Sequence, residues 1–79
     1  MSSQTGRPIE VLRSSVNKEV RVVLKNDAEY VGKLIEVDTY MNLVLERVEE
    51  YVNGNRRASY PHLLIRGNNV VYVSVVENI

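Results

Sequence analysis

The chain has 79 residues, enough for a single small domain over 1–79, with ten Lys and Arg balanced by ten Asp and Glu, one histidine and no cysteine. Zero net charge argues against the broad basic surface by which proteins adhere to nucleic acid without selectivity, and the lack of cysteine excludes disulfides and thiolate zinc sites. A monomer of this length buries only about 60% of the surface its unfolded chain exposes, which leaves oligomerisation as the common route to further burial.

Residues 1–7 are polar and expected to be flexible. Pro8 suits the first turn of a helix, and Ile9, Leu12 and Val16 recur at spacings of three and four, so the pattern predicts a short helix over 8–16 that lids one end of a core. From Lys18 the period changes to two: Val20, Val22 and Leu24 alternate with Glu19, Arg21 and Val23, a half-buried strand. Asn26-Asp27 suits a turn, and a second extended run covers Glu29 to Val37, with Gly32 marking a strong bend or a close backbone approach.

Asp38-Thr39 breaks that run. The third extends from Met41 to Val52, with Met41, Leu43 and Leu45 on one face and Met41 directed at the core. Asn53-Gly54 is the strongest hairpin signal in the chain. Strand character resumes around Ala58, turns at Gly67-Asn68, and ends in a run from Asn69 to Val76. The predicted fold is mostly β: a short N-terminal helix followed by a bent five-stranded antiparallel sheet, over 18–76, that forms a small, partly open barrel.

The last run carries Val70, Val71, Tyr72, Val73, Val75 and Val76 and is apolar on both faces. Such an edge is an aggregation hazard that pairing with another subunit removes, so a closed oligomer is a physical expectation. No stretch approaches the roughly 18 apolar residues of a membrane span, and the first ten residues lack an apolar signal core. No membrane partner is expected. A cysteine-free composition fits a reducing compartment, and the cytoplasm is the expected location.

Two segments carry a resemblance: Asp38-Thr39-Tyr40-Met41-Asn42, preceded by Val20-Arg21-Val22-Val23-Leu24 and Gly32, and Ile65-Arg66-Gly67-Asn68-Asn69 with the valine run after it. Together they resemble the two motifs of the Sm-like (LSm) protein family, the archaeal Sm-like proteins in particular, over nearly the whole chain. The resemblance implies a strongly bent five-stranded barrel and a ring, most often a heptamer, closed by pairing the fourth strand of one subunit with the fifth of the next. It also implies binding of single-stranded, uridine-rich RNA near the central pore, as scaffold or chaperone in RNA processing or ribonucleoprotein assembly, with RNA-processing proteins as further partners. A structural or protein-interaction ring without RNA selectivity is the alternative.

On this resemblance Tyr40 stacks on one face of a base, Arg66 covers the other face or reaches a phosphate, and Asn42 offers a donor and an acceptor to the base edge. Spacing alone leaves each a plainer role: Tyr40 as filler of the barrel end, Asn42 bonded to its own turn, Arg66 as an exposed strand end. Asn68 completes the RNA-binding set but stands where many relatives carry Asp, which puts strict uridine selectivity in question. Asp38 and Gly67 support the site, the first by accepting hydrogen bonds in its turn, the second by permitting a conformation or approach that a side chain forbids. Arg56 and Arg57 read as a solvated hairpin end. His62 has no base, nucleophile or metal pattern around it, so neither an enzyme nor a cofactor is expected.

Overall fold

Burial with a period of two organises the chain into strands behind one short helix. The computed structural model describes residues 8–76; the flexibility expected of residues 1–7 lies outside them. In chain order come α1 (Pro8–Arg13), β1 (Glu19–Leu24), β2 (Ala28–Val37), β3 (Leu43–Val52), β4 (Asn55–Ile65), a 3-10 turn over Gly67–Asn69, and β5 (Val70–Val75). The five strands form one antiparallel sheet in the order β4-β3-β2-β1-β5. This is the bent sheet behind a helix that the sequence predicts. No helix of the described residues is long and apolar enough to cross a membrane.

The helix is shorter than its apolar stripe suggests. The Ser14 and Ser15 hydroxyls both donate to the Val11 carbonyl, at 2.8 and 2.9 Å, and the Ser15 N–H bonds to Leu12 rather than to Val11. Local side-chain bonds of this kind compete with the helical ladder. Turns follow Arg13, and Asn17 takes a left-handed φ of 75° while its N–H bonds to the Leu34 carbonyl at 2.7 Å. Leu12 is nevertheless buried and Val16 packs against the same core, so the stripe does lid the barrel.

Val20, Val22, Leu34, Leu43, Leu45 and Val48 are fully buried and form that core with Leu12 and Ile65. Wrapping one sheet around so few side chains needs a sharp bend. It occurs at Gly32, where the β2–β3 register steps from Val31↔Glu49 to Lys33↔Glu46 and Arg47 takes a φ of 55°. A Cβ on Gly32 would lie 3.0 Å from the Glu46 carbonyl oxygen and 3.1 Å from Val48 Cγ2. Glycine is required by the close approach of β3.

The hairpins follow their turn chemistry. Asn53 and Gly54 take φ of 52° and 81°, the left-handed pair of a two-residue turn whose twist matches the flanking strands. β4 therefore starts at Asn55, ahead of the predicted restart near Ala58. Pro61 lies within β4, a strand at the sheet edge, where a missing N–H is tolerated. β3 begins at Leu43 instead of Met41 because Met41 is in left-handed backbone, φ 66°, though it still packs against the core.

β4 and β5 are the two ends of the sheet and do not pair with each other. β5 is apolar on both faces in an uneven way: Val70, Val73 and Val75 pack on the core, while Val71 and Tyr72 are 58% and 53% exposed. Val71 is an extra residue in the β1–β5 register, between Leu24↔Val70 and Val23↔Tyr72. On the other edge Leu64 is 62% exposed.

Gly32→Val places a branched side chain against the β3 backbone and should destabilise the fold by about 1–3 kcal/mol. Thermal unfolding tests this, with each 1 kcal/mol expected to lower the midpoint by roughly 4–8 °C in a domain of this size. An unchanged midpoint would show that the bend can open to admit a side chain.

Candidate RNA-binding site

The buried pair Leu43↔Ile65 is the last rung of the β3–β4 ladder. Beyond it two loops leave the barrel side by side, Asp38–Asn42 between β2 and β3, and Arg66–Asn69 between β4 and β5. Every residue predicted for the site lies on these two loops.

The first loop is built around Asp38. Its Oδ1 accepts from the Tyr40 and Asn42 backbone N–H groups, each at 2.9 Å, and its Oδ2 accepts from Asn42 Nδ2 at 2.9 Å. The main chain closes the same turn: Asp38 N–H donates to the Asn42 carbonyl at 3.1 Å and Met41 N–H to the Asp38 carbonyl at 2.9 Å. The three bonds accepted by the carboxylate favour its ionised form, so the Asp38 carboxyl is held below the usual carboxylate range. The Asn42 backbone N–H is the largest cause, followed by the Asn42 side chain, with a smaller contribution from Tyr40.

The second loop is held to the first. Gly67 N–H donates to Asn42 Oδ1 at 2.8 Å, and the Asn69 N–H bonds back to the Arg66 carbonyl at 3.0 Å. The Asn69 carbonyl accepts from the Lys25 N–H at 2.9 Å, which ties the loop to the end of β1. A Cβ on Gly67 would fall inside contact distance of the Tyr40 carbonyl oxygen and 2.7 Å from that of Met41. Gly67 has no positive φ; of the two roles the sequence allowed it, close approach is the one realised.

Asn42 thus bonds within its own turn and across to the other loop. One Nδ2 hydrogen and one Oδ1 lone pair are left for a ligand. Tyr40, 80% exposed, stands free beside it. Arg66 is exposed and follows Ile65 out of the last rung, with extended backbone at φ −72°, ψ 133°. Asn68 is also exposed, and its side chain makes no hydrogen bond among the described residues. The structure therefore joins Asp38, Asn42 and Gly67 by contact and sets Tyr40, Arg66 and Asn68 on the surface around them. The link through Lys25 and Asn69 runs between backbone atoms, and no residue type signals it.

Arg56 and Arg57 lie on β4, away from these loops. Arg56 donates through Nε to Glu49 and through Nη2 to Ser59 at 2.8 Å, a set of contacts within the β3–β4 hairpin. No group of three or more His, Cys, Asp or Glu among the described residues is arranged to hold a metal.

The LSM domain family matches residues 10–75. The LSM complex subunit lsm6 of Schizosaccharomyces pombe is 46% identical over 71 residues, covering 90% of this chain and 95% of that protein. Among solved structures, the Sm protein of Pyrococcus abyssii in complex with a uridine heptamer superposes with a TM-score of 0.86 at 37% identity, over 90% of this chain and all of that one. A heptameric archaeal Sm protein superposes with a TM-score of 0.79 at 35% identity, over 86% of this chain and 98% of that one.

Gly67→Ala should part the two loops. The expected result is faster hydrogen exchange at the residue 67 amide and a stability loss of about 1–3 kcal/mol. Asn68→Ala, at an exposed residue without a bond, should stay within about 0.5 kcal/mol of the parent. Equal effects of the two substitutions would contradict the contact described here.

Proposed function

Since the chain belongs to the LSM domain family and stands close to the archaeal Sm-like proteins, we propose that it forms a ring that binds single-stranded, uridine-rich RNA near its central pore. The family consists of non-catalytic RNA-binding and scaffold proteins, and this chain is not an enzyme. In the proposed reading the ring serves as scaffold or chaperone in RNA processing or ribonucleoprotein assembly, in the cytoplasm, with RNA-processing proteins as further partners.

The observation that carries the reading is the joined loop pair, which fixes Asn42 and leaves Tyr40 and Arg66 exposed, one on each loop. A uracil edge presents an N–H donor flanked by carbonyl acceptors, and the remaining donor and acceptor of Asn42 complement one N–H and one carbonyl of it. Tyr40 offers a ring for one face of the base, and the Arg66 guanidinium a plane or a phosphate contact for the other. The uridine heptamer bound to the Pyrococcus relative supports the same choice of ligand.

The ring rests on the two unpaired edges. β4 and β5 each have one neighbour in the sheet, and exposed Leu64 on one and Val71 and Tyr72 on the other are apolar groups that edge-to-edge pairing covers. A heptamer is the proposed stoichiometry, by analogy with the archaeal relative. Repeating one small site around a ring gives avidity to a protein without net charge. Asn68 favours a second reading, a scaffold ring without uridine preference, because an unbonded amide replaces the carboxylate common in relatives at that position.

Fluorescence anisotropy at fixed salt separates the two readings. Oligouridylate should bind more tightly than oligocytidylate of equal length, and Arg66→Ala should weaken it by about 5–150-fold, the equivalent of roughly 1–3 kcal/mol of stacking. Light scattering should report the same assembly mass for parent and variant. Equal affinity for the two oligomers defeats the selectivity and leaves the scaffold, and a persistent mass near 9.0 kDa defeats the ring.

A further inference from the structure

A cleft of about 390 Å³ lies on the side of the sheet away from the core, lined by Arg21, Glu29, Val31, Tyr51, Gly54 and Val76. Strand alternation sends these side chains outward. Val20 and Val22 fill the core, so Arg21 faces away from it; Ala28 and Gly32 are buried on the inner face of β2, so Glu29 and Val31 face outward. The register sets Tyr51 directly beside Glu29 and Arg21 directly beside Val31. Gly32 and its bend stand between this half of β2 and the loop site beyond Val37.

The polar side chains of the cleft form no hydrogen bonds among the described residues. Arg21 Nε lies 3.6 Å from Glu29 Oε1, with side chains 51% and 38% exposed. That is an ion pair too long to be a hydrogen bond. Among the described residues, neither side chain forms a hydrogen bond, nor does the Tyr51 hydroxyl. The cleft therefore offers an aromatic ring, an apolar floor from Val31 and Val76, and a carboxylate next to a guanidinium.

We propose that this cleft is a guanine-binding site, separate from the loop site. The Watson–Crick edge of guanine runs acceptor, donor, donor. Its O6 suits Arg21, and its adjacent N1–H and N2–H₂ suit the two oxygens of Glu29, while the bicyclic base stacks on Tyr51. Uracil places a second carbonyl where guanine has the amino group, facing the carboxylate, and is rejected. Adenine and cytosine each bring one donor group to Glu29 where guanine brings two. The site stands whether or not the loops prefer uridine, because it shares no residue with them.

Mononucleotide titrations of the intact assembly, followed by NMR, test this with GMP, AMP, CMP and UMP. GMP should bind most tightly, and saturating uridine hexamer should not displace it. Glu29→Gln, which loses the two-oxygen acceptor, should weaken GMP about tenfold or more, and Tyr51→Leu should weaken all purines while keeping the floor apolar. A fluorescent AGAGAG hexamer identifies the source: binding at least tenfold tighter than GMP assigns the site to RNA, and binding no tighter assigns it to free nucleotide. Equal affinity for the four nucleotides, displacement by the uridine hexamer, or indifference to Glu29→Gln would each overturn the proposal.

Discussion

The side-chain amide of Asn42 joins two loops that lie 25 residues apart in sequence, and the rest of the site depends on that link. One end of the amide donates to Asp38, and the other accepts from Gly67. Neither bond is buried deeply, so neither stabilises the fold by much; a typical net contribution is about 0.5–1.5 kcal/mol. Their importance is geometric. Tyr40 and Arg66 belong to separate loops and would move independently without a common support, and the proposed grip on both faces of a base would need the two held at fixed separation.

That link is possible because the barrel brings the loop bases together first. Leu43 and Ile65 are paired and buried, so the residues next to them, Asn42 and Arg66, leave the sheet as neighbours. The bend at Gly32 lets a single sheet enclose the core that buries this rung. The same curling leaves β4 and β5 at opposite ends of the sheet without closing them on each other. A small core and two unpaired edges are thus consequences of one construction, and the proposed pairing between copies would relieve both.

Much of this was legible from residue type. The change from a period near four to a period of two marked α1 and β1, Asn53-Gly54 marked its hairpin, and Gly32 marked a bend or a close approach. What escaped was decided by interactions that patterns do not encode. The helix stops at Arg13 because two serine hydroxyls compete for one carbonyl, and Val16 keeps its apolar contact from outside the helix. Met41 fits a strand by its side chain, yet the Asp38 turn drives its backbone left-handed. The extra residue at Val71 lies between Leu24↔Val70 and Val23↔Tyr72, and the valine-rich run gives no sign of where it falls.

Asn68 is the informative departure. A carboxylate at that position would help to fix the neighbouring asparagine and arginine. Here Asn42 is already fixed from both ends, by Asp38 on its own loop and by Gly67 N–H across the gap. Gly67 is packed closely against the Tyr40 and Met41 carbonyls. The architecture of the loop pair therefore does not rest on residue 68. With an amide there Arg66 lacks such an anionic neighbour, and under the proposed function the charge that a base or phosphate would meet is different. Under the proposed function, any consequence of Asn68 would belong to the choice of ligand and not to the shape of the loop pair.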